Sequence, residues 1–217
     1  MKKVVVEKKI LERNDKAADK IRDIFKEKGI FSLNFMSSPG AGKTTVVEKI
    51  IKYLSGKYRI SFIDGDLDTE RDAQRIKNLG IDVVQINTSG ACHLDADMVS
   101  KALKKISLKC DLLIVENVGN LVCPATFDVG CDKNVVILST PEGDDKVKKY
   151  PVMFNVADCI LINKIDLVEF LDFDLNKVLK EIKDVNPKAR VIEISAKQGD
   201  GIDEFVDWIE NGIKRVV

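Results

Sequence analysis

Ser37, Ser38, Pro39, Gly40, Ala41, Gly42, Lys43, Thr44 and Thr45 follow an apolar run over residues 31–36 and precede an amphipathic one. A glycine-rich turn that leaves a strand and enters a helix aims backbone N–H groups and the positive helix end at one point. There a lysine can meet phosphate and a hydroxyl can hold Mg2+. The stretch therefore demands strand, tight turn and helix in succession. It makes residues 39–45 candidates for binding a nucleotide, with Lys43 and Thr44 also taking part in chemistry. One position departs from the usual G-x-x-x-x-G-K-[ST] spacing: Ser37 stands where the first glycine belongs, so the turn has to accommodate a Cβ.

At 217 residues the chain can bury a substantial core, as one large α/β domain or two small ones. Its 35 basic and 35 acidic residues cancel, so charge points to neither nucleic acid nor an anionic membrane as a partner. No apolar run approaches the length that spans a bilayer, and the first residues hold too short an apolar segment for a signal peptide. A cytoplasmic location is expected. Five cysteines, at 92, 110, 123, 131 and 159, are an odd number, which argues against a disulfide framework and for thiols, some of them metal ligands.

Ahead of the loop, Ala17, Ala18, Ile21, Ile24 and Phe25 recur at helical spacing among charges and Gly29 supplies a stop, so residues 1–29 read as a helical extension packed on the body. Val47, Ile50, Ile51 and Leu54 give the helix after the loop one buried side. From there to the end, β-branched runs alternate with helical patterns: 59–63, 82–86, 112–115, 135–138, 159–162 and 191–194. With 31–36 these make seven candidate strands. Most are continuously apolar rather than alternating, which implies burial on both faces. Residues 30–217 are thus expected to form a single P-loop NTPase domain of the α/β class, a mainly parallel seven-stranded sheet with helices on both faces. In such a sheet ligands collect at the carboxyl ends of the strands.

Several strand ends carry polar residues. Asp64, Asp66 and Asp68 close the second run, and Asp66 is the first choice for a Mg2+ ligand, while Asp68 and Thr69 suit a cap for the helix that follows. Glu116, Asn117, Val118 and Gly119 follow the fourth run in the layout of a Walker B or switch element, so Thr44, Asp66 and Glu116 are the expected Mg2+ set. Asn163, Lys164, Ile165 and Asp166 form another tip; a carboxylate there can accept from both the ring N–H and the exocyclic amino group of guanine, which selects GTP over ATP. Ser195, Ala196 and Lys197 end the last run, with backbone N–H groups available to the base carbonyl.

The single histidine, His93, stands beside Cys92 in a loop whose Asp95 is a candidate N-cap, and Cys123 lies in the segment after Glu116. Thiolate and imidazole together suit Zn2+, Ni2+ or copper. Three such ligands leave a four-coordinate site one short, to be filled by water, Cys131 or the same residue of a second subunit. Cys110 and Cys159 read as small core residues.

Together the blocks Gly65, Asp66, Thr69, Asp72 and Ala73; 90–96 with Cys92 and His93; 116–124 with Glu116 and Cys123; Glu142 and Gly143; and 149–154 resemble the HypB family, the nickel-incorporation GTPases of [NiFe]-hydrogenase maturation. The similarity runs from about residue 37 to 210. It implies a GTPase of the signal-recognition-particle and MinD-like (SIMIBI) class that dimerises with GTP, and it implies Ni2+ or Zn2+ on Cys92, His93 and Cys123 near the dimer interface. It also implies a HypA-type accessory protein and the hydrogenase large subunit as partners. The N-terminal cysteine motif and His-rich tract of some members have no counterpart in this sequence. Where the MinD branch has a loop lysine that reaches across its dimer stands Ser38, leaving Lys146 and Lys149 as candidates for that contact.

The expected function is slow GTP hydrolysis linked to metal binding, with Asp64, Asp66 or Glu116 orienting water. The rivals are a metal-storage protein that uses GTP only as a structural ligand, a partitioning switch without a transition metal, and the urease-type insertion GTPases, from which the 92–96 and 116–120 blocks lead away.

Overall fold

The computed structural model describes residues 6–66 and 71–216, with side chains from 9 to 65 and from 72 to 216. In order the elements are α1 (Val6–Lys28), β1 (Phe31–Ser37), α2 (Lys43–Leu54), β2 (Ile60–Asp66), α3 (Arg71–Lys77), β3 (Asp82–Asn87), α4 (Ala96–Leu103), β4 (Leu112–Glu116), β5 (Lys133–Ser139), α5 (Lys146–Lys149), α6 (Pro151–Asn155), β6 (Cys159–Asn163), α7 (Leu175–Val185), β7 (Arg190–Ile194) and α8 (Ile202–Val216). Each of the seven expected strands is present, most of them a residue or two longer than the apolar run that announced them. The N-terminal helix is longer than its stripe, because charged residues continue it outward from the part that packs.

The strands form one sheet in the order β3-β2-β4-β1-β5-β6-β7, and every neighbouring pair is parallel. Period-2 geometry explains why the central strands are apolar throughout. In β4, Leu112 and Ile114 enter the layer formed with α2 and α8, while Leu113 and Val115 enter the layer formed with α1 and α4. In β6, Cys159 and Leu161 face the first layer, and Ile160 and Ile162 face a third cluster under α6 and α7. Both faces are covered, as parallel sheets require. The edge strands β3 and β7 are the two that alternate or stay half-exposed. Cys110 and Cys159 are buried in these layers, as expected.

This order places β1 between β4 and β5, at the point where the chain reverses its direction of winding. The tips of β1, β2, β4 and β6 therefore meet along one edge, where a doubly wound sheet receives its ligand.

Candidate functional site

The turn after β1 is closed by hydrogen bonds of its own. Gly42, the residue before α2, has φ +102°, and a Cβ there would lie 2.6 Å from Asn163 Nδ2, so both conformation and neighbour demand glycine. The serine at 37 needs no such freedom. It is the last residue of β1, fully buried, and its hydroxyl donates to Ser38 O at 2.6 Å while accepting from Lys43 Nζ at 3.1 Å. Ser38 donates in turn to Glu142, whose other oxygen takes the N–H and hydroxyl of Ser139 at the end of β5.

Lys43, Thr44, Thr45, Asp64 and Glu116 share a cavity of about 440 Å³ with Gly40, Gly42 and Gly119. Thr44 Oγ1 donates to Glu116 Oε1 at 2.9 Å, and Glu116 Oε2 is buried without a hydrogen-bond partner. Burial pushes the Glu116 carboxyl up to about 7, against the opposing pull of Lys43 and Thr44. A buried carboxylate oxygen with an open valence beside a threonine hydroxyl is the donor set that fits Mg2+. The side chain of Asp66, the third expected ligand, lies outside the described residues, as do Asp68 and Thr69. Asp72 and Arg75 of α3 also line the cavity. Arg75 is held by Glu48 at 2.6 Å and Asp72 at 3.0 Å. Sequence reasoning singled out neither for a role at the phosphates, because both precede or sit within an ordinary helical pattern and only the fold turns them inward.

A second cavity of about 280 Å³ adjoins the first and is lined by Gly42, Thr45, Asn163, Lys164, Asp166, Leu167, Ala196 and Lys197, the residues expected at the base. Asn163 braces its walls: Nδ2 donates to Ala41 O at 2.8 Å, and Oδ1 accepts from Ala196 N at 3.1 Å. Lys164, at φ +63°, donates to Gly40 O at 2.7 Å. Asp166 Oδ1 is buried with no hydrogen-bond partner, ready to accept. Ser195 N is occupied by Asp200 O and Ala196 N by Asn163, which narrows the expected carbonyl donor among the three to Lys197.

Cys92, His93 and Cys123 come together, their ligand atoms all within 4.8 Å of one another, and they are the one such Cys/His/carboxylate group among the described residues. The two sulfurs are 2.8 Å apart, and Cys92 Sγ is 3.7 Å from His93 Nδ1. Two thiolates on one tetrahedral ion with metal–sulfur bonds of about 2.3 Å stand roughly 3.8 Å apart, so loading would spread this pair by about 1 Å. His93 stacks on Phe127 at 3.9 Å, and burial lowers its pKa, favouring the neutral imidazole that ligates metal. The contact with Cys92 and burial push the Cys123 thiol up. Cys131 is not in the group. It packs against the α1–α4 layer, where burial strongly favours its thiol form. Asp95 caps α4 as expected, accepting from Met98 N at 2.7 Å. Lys146 and Lys149 both fold onto Asp145 of their own chain, at 3.1 and 2.5 Å, and hold that carboxyl down at about 2.

A phosphate loop on the central strand, an acid at the neighbouring tip and a base cavity beside them define a P-loop nucleotide-binding protein. Residues 32–193 match the family model "CobW/HypB/UreG, nucleotide-binding domain". The chain belongs to that family and, within it, to the hydrogenase maturation factors HypB. HypB of Azotobacter chroococcum mcd 1 is 47% identical over 208 residues, which is 95% of this chain and 68% of that protein. The crystal structure of HypB from Archaeoglobus fulgidus superposes with a TM-score of 0.89 at 40% identity, over 94% of this chain and 100% of that one. HypB from Helicobacter pylori, solved in complex with nickel, gives 0.89 at 38% identity, over 94% and 96%.

Proposed function

We propose that this chain is a GTP-hydrolysing nickel metallochaperone of [NiFe]-hydrogenase maturation in which nucleotide state, dimerisation and metal binding are linked. The observation that carries the reading is the segment from Glu116 to Cys123: one end of it bonds Thr44 of the phosphate loop, and the other supplies a sulfur to the Cys92–His93 pair. The nickel complex of the Helicobacter pylori relative supports nickel as the cargo.

Asp166 would accept from the guanine, and Asn163 would keep the loops on either side of the base at their spacing. Lys43 would leave Ser37 to neutralise the charge that develops on the transferred phosphoryl group. Mg2+ on Thr44, Glu116 and Asp66 would neutralise phosphate charge. Asp64 and Glu116, both nearly buried in the same cavity, are the described candidates for orienting the attacking water. Three protein ligands leave the cargo site open to water or to a second subunit. The exposed apolar side chains Val122, next to Cys123, and Val152, on α6, would be covered by such a subunit. Lys146 and Lys149 would then exchange Asp145 for a group across the dimer. A HypA-type accessory protein and the hydrogenase large subunit are the proposed partners.

The test is phosphate release from GTP by wild type and Lys43→Ala, with sedimentation in GDP and in a non-hydrolysable GTP analogue. Slow release that falls at least about 100-fold in the variant, with a dimer favoured by the analogue, is expected. No release from wild type under any metal condition would sink the enzymatic reading and leave storage as its replacement.

A further inference from the structure

Directly after His93 the chain presents two backbone N–H groups, those of Leu94 and Ala96, and each is taken by a buried asparagine from a different part of the molecule. Leu94 N donates to Asn117 Oδ1 at 3.0 Å, and Ala96 N donates to Asn14 Oδ1 at 2.9 Å. Asn14 belongs to α1, and its Nδ2 donates to Asp128 O at 2.8 Å, one residue beyond the Phe127 ring on which His93 stacks. It joins the two segments that carry the metal ligands, and its hydrogen bonds among the described residues go to no residue that lines the nucleotide cavity. Asn117 is placed otherwise. It follows Glu116 and is 1% exposed, and its Oδ1 also accepts from Val118 N at 3.0 Å, so both lone pairs of that oxygen are used. Its Nδ2 donates to Asn34 Oδ1 at 3.2 Å, and its backbone N–H to Phe35 O at 2.9 Å, which fixes it from behind.

The residues on either side of this carboxamide lie against the nucleotide cavity. A Cβ on Gly119 would stand 3.0 Å from Pro39 Cα, so the strap after Val118 rests on the phosphate loop. A Cβ on Gly65, which lines the cavity, would stand 2.6 Å from Leu94 Cδ1, so Leu94 is packed on the cavity wall while its N–H is held by Asn117. A shift of Val118 and Gly119 on phosphate binding would pull one of the two donors away from Asn117 Oδ1. The oxygen then either follows and releases Leu94, next to His93, or stays and orphans Val118. A buried orphaned N–H is unfavourable enough to link the two movements.

We propose that Asn117 is the positioning residue that transmits nucleotide state to the metal-bearing turn, and that Asn14 is a static anchor of the same turn. The proposal rests on the reading that nucleotide and metal binding are linked, and it assigns that link to one carboxamide.

The experiment is titration of the full chain with Ni2+ against a chromophoric chelator, in GDP and in a non-hydrolysable GTP analogue, for wild type, Asn117→Ala and Asn14→Ala. Wild type is expected to show a nucleotide-dependent affinity ratio within the roughly 5- to 150-fold range typical of linked sites. Asn117→Ala should bring the ratio to about one. Asn14→Ala should weaken Ni2+ by a similar factor in both states and leave the ratio in place. A wild-type ratio retained in Asn117→Ala overturns the assignment, and so does equal loss of the ratio in Asn14→Ala, which would mean general loosening of the turn. A ratio of one in wild type removes the linkage itself. Should Asn117→Ala fail to fold, amide exchange on wild type decides: protection of the Leu94 N–H should change between the two nucleotides while that of Ala96 stays constant, and an unchanged Leu94 overturns the proposal.

Discussion

The phosphate cavity is walled by Lys43, Thr44, Asp64 and Glu116, each at most 9% exposed and placed at or next to the tips of central strands, whereas Cys92, His93 and Cys123 sit half-exposed on two connecting segments. The first set inherits its geometry from the core: β1 and β4 are fully buried, so the backbone of these strands cannot shift without disturbing the sheet, and only side chains such as Lys43 are left to move. The second set is held by backbone N–H groups of its two segments donating to the side-chain oxygens of Asn14, Asn117 and Asn120, with Phe127 stacked on His93. A site built this way can rearrange at low energetic cost, which is what the proposed metal delivery would require. The rigid site can hold a switch, and the looser one can respond to it.

Removing a sulfur is the strongest way to separate the two regions. Cys123→Ala is expected to weaken Ni2+ or Zn2+ by on the order of 100- to 1000-fold, since structural zinc sites derive about 10–16 kcal/mol from four ligands. Metal-free GDP affinity should stay within about twofold. Equal loss of both affinities would show that the sites are not built independently.

The rigid region should answer to pH through Glu116. Glu116 has its folded pKa raised from 4.5 to about 7, so the stability it contributes is fully present below pH 4.5 and is lost as pH rises to about 7. Glu116→Gln is therefore expected to stabilise the ligand-free chain relative to wild type above pH 7, by about 3 kcal/mol, and to have little effect near pH 4. Denaturant melts at the two pH values measure it, and a difference independent of pH would contradict the buried carboxyl. A smaller effect is expected at the base cavity. Asp166→Asn should lower the preference for guanine over xanthine nucleotides about 10- to 100-fold in competition binding, with the Ni2+ affinity of the nucleotide-free chain unchanged.

The order of strands and loops was open to reading because each carries a local signature. Continuous apolar runs announced β1, β4, β5 and β6, and Gly42, Lys43 and Thr44 announced the turn, since backbone conformation and strand burial depend on residues close in the chain. Cys92 and Cys123 were candidates by residue type alone. What brought them to 2.8 Å was the parallel pairing of β2 with β4 and the packing of α4 beneath them, contacts between segments 31 residues apart that leave no periodic trace. For the same reason Cys131, one of three candidates for the open fourth position, packs instead against a core layer. Asp72, Arg75 and Asn117 carry no local mark of lining the cavity, because a polar side chain looks alike in sequence whether it meets water or a phosphate. The sequence by itself determined a phosphate loop, a parallel sheet and a set of candidate ligands, all encoded by near neighbours and by side-chain chemistry. Only the tertiary structure decided which ligands meet and that two asparagines hold the turn between them, because burial and hydrogen bonding across the fold depend on where distant segments are brought together.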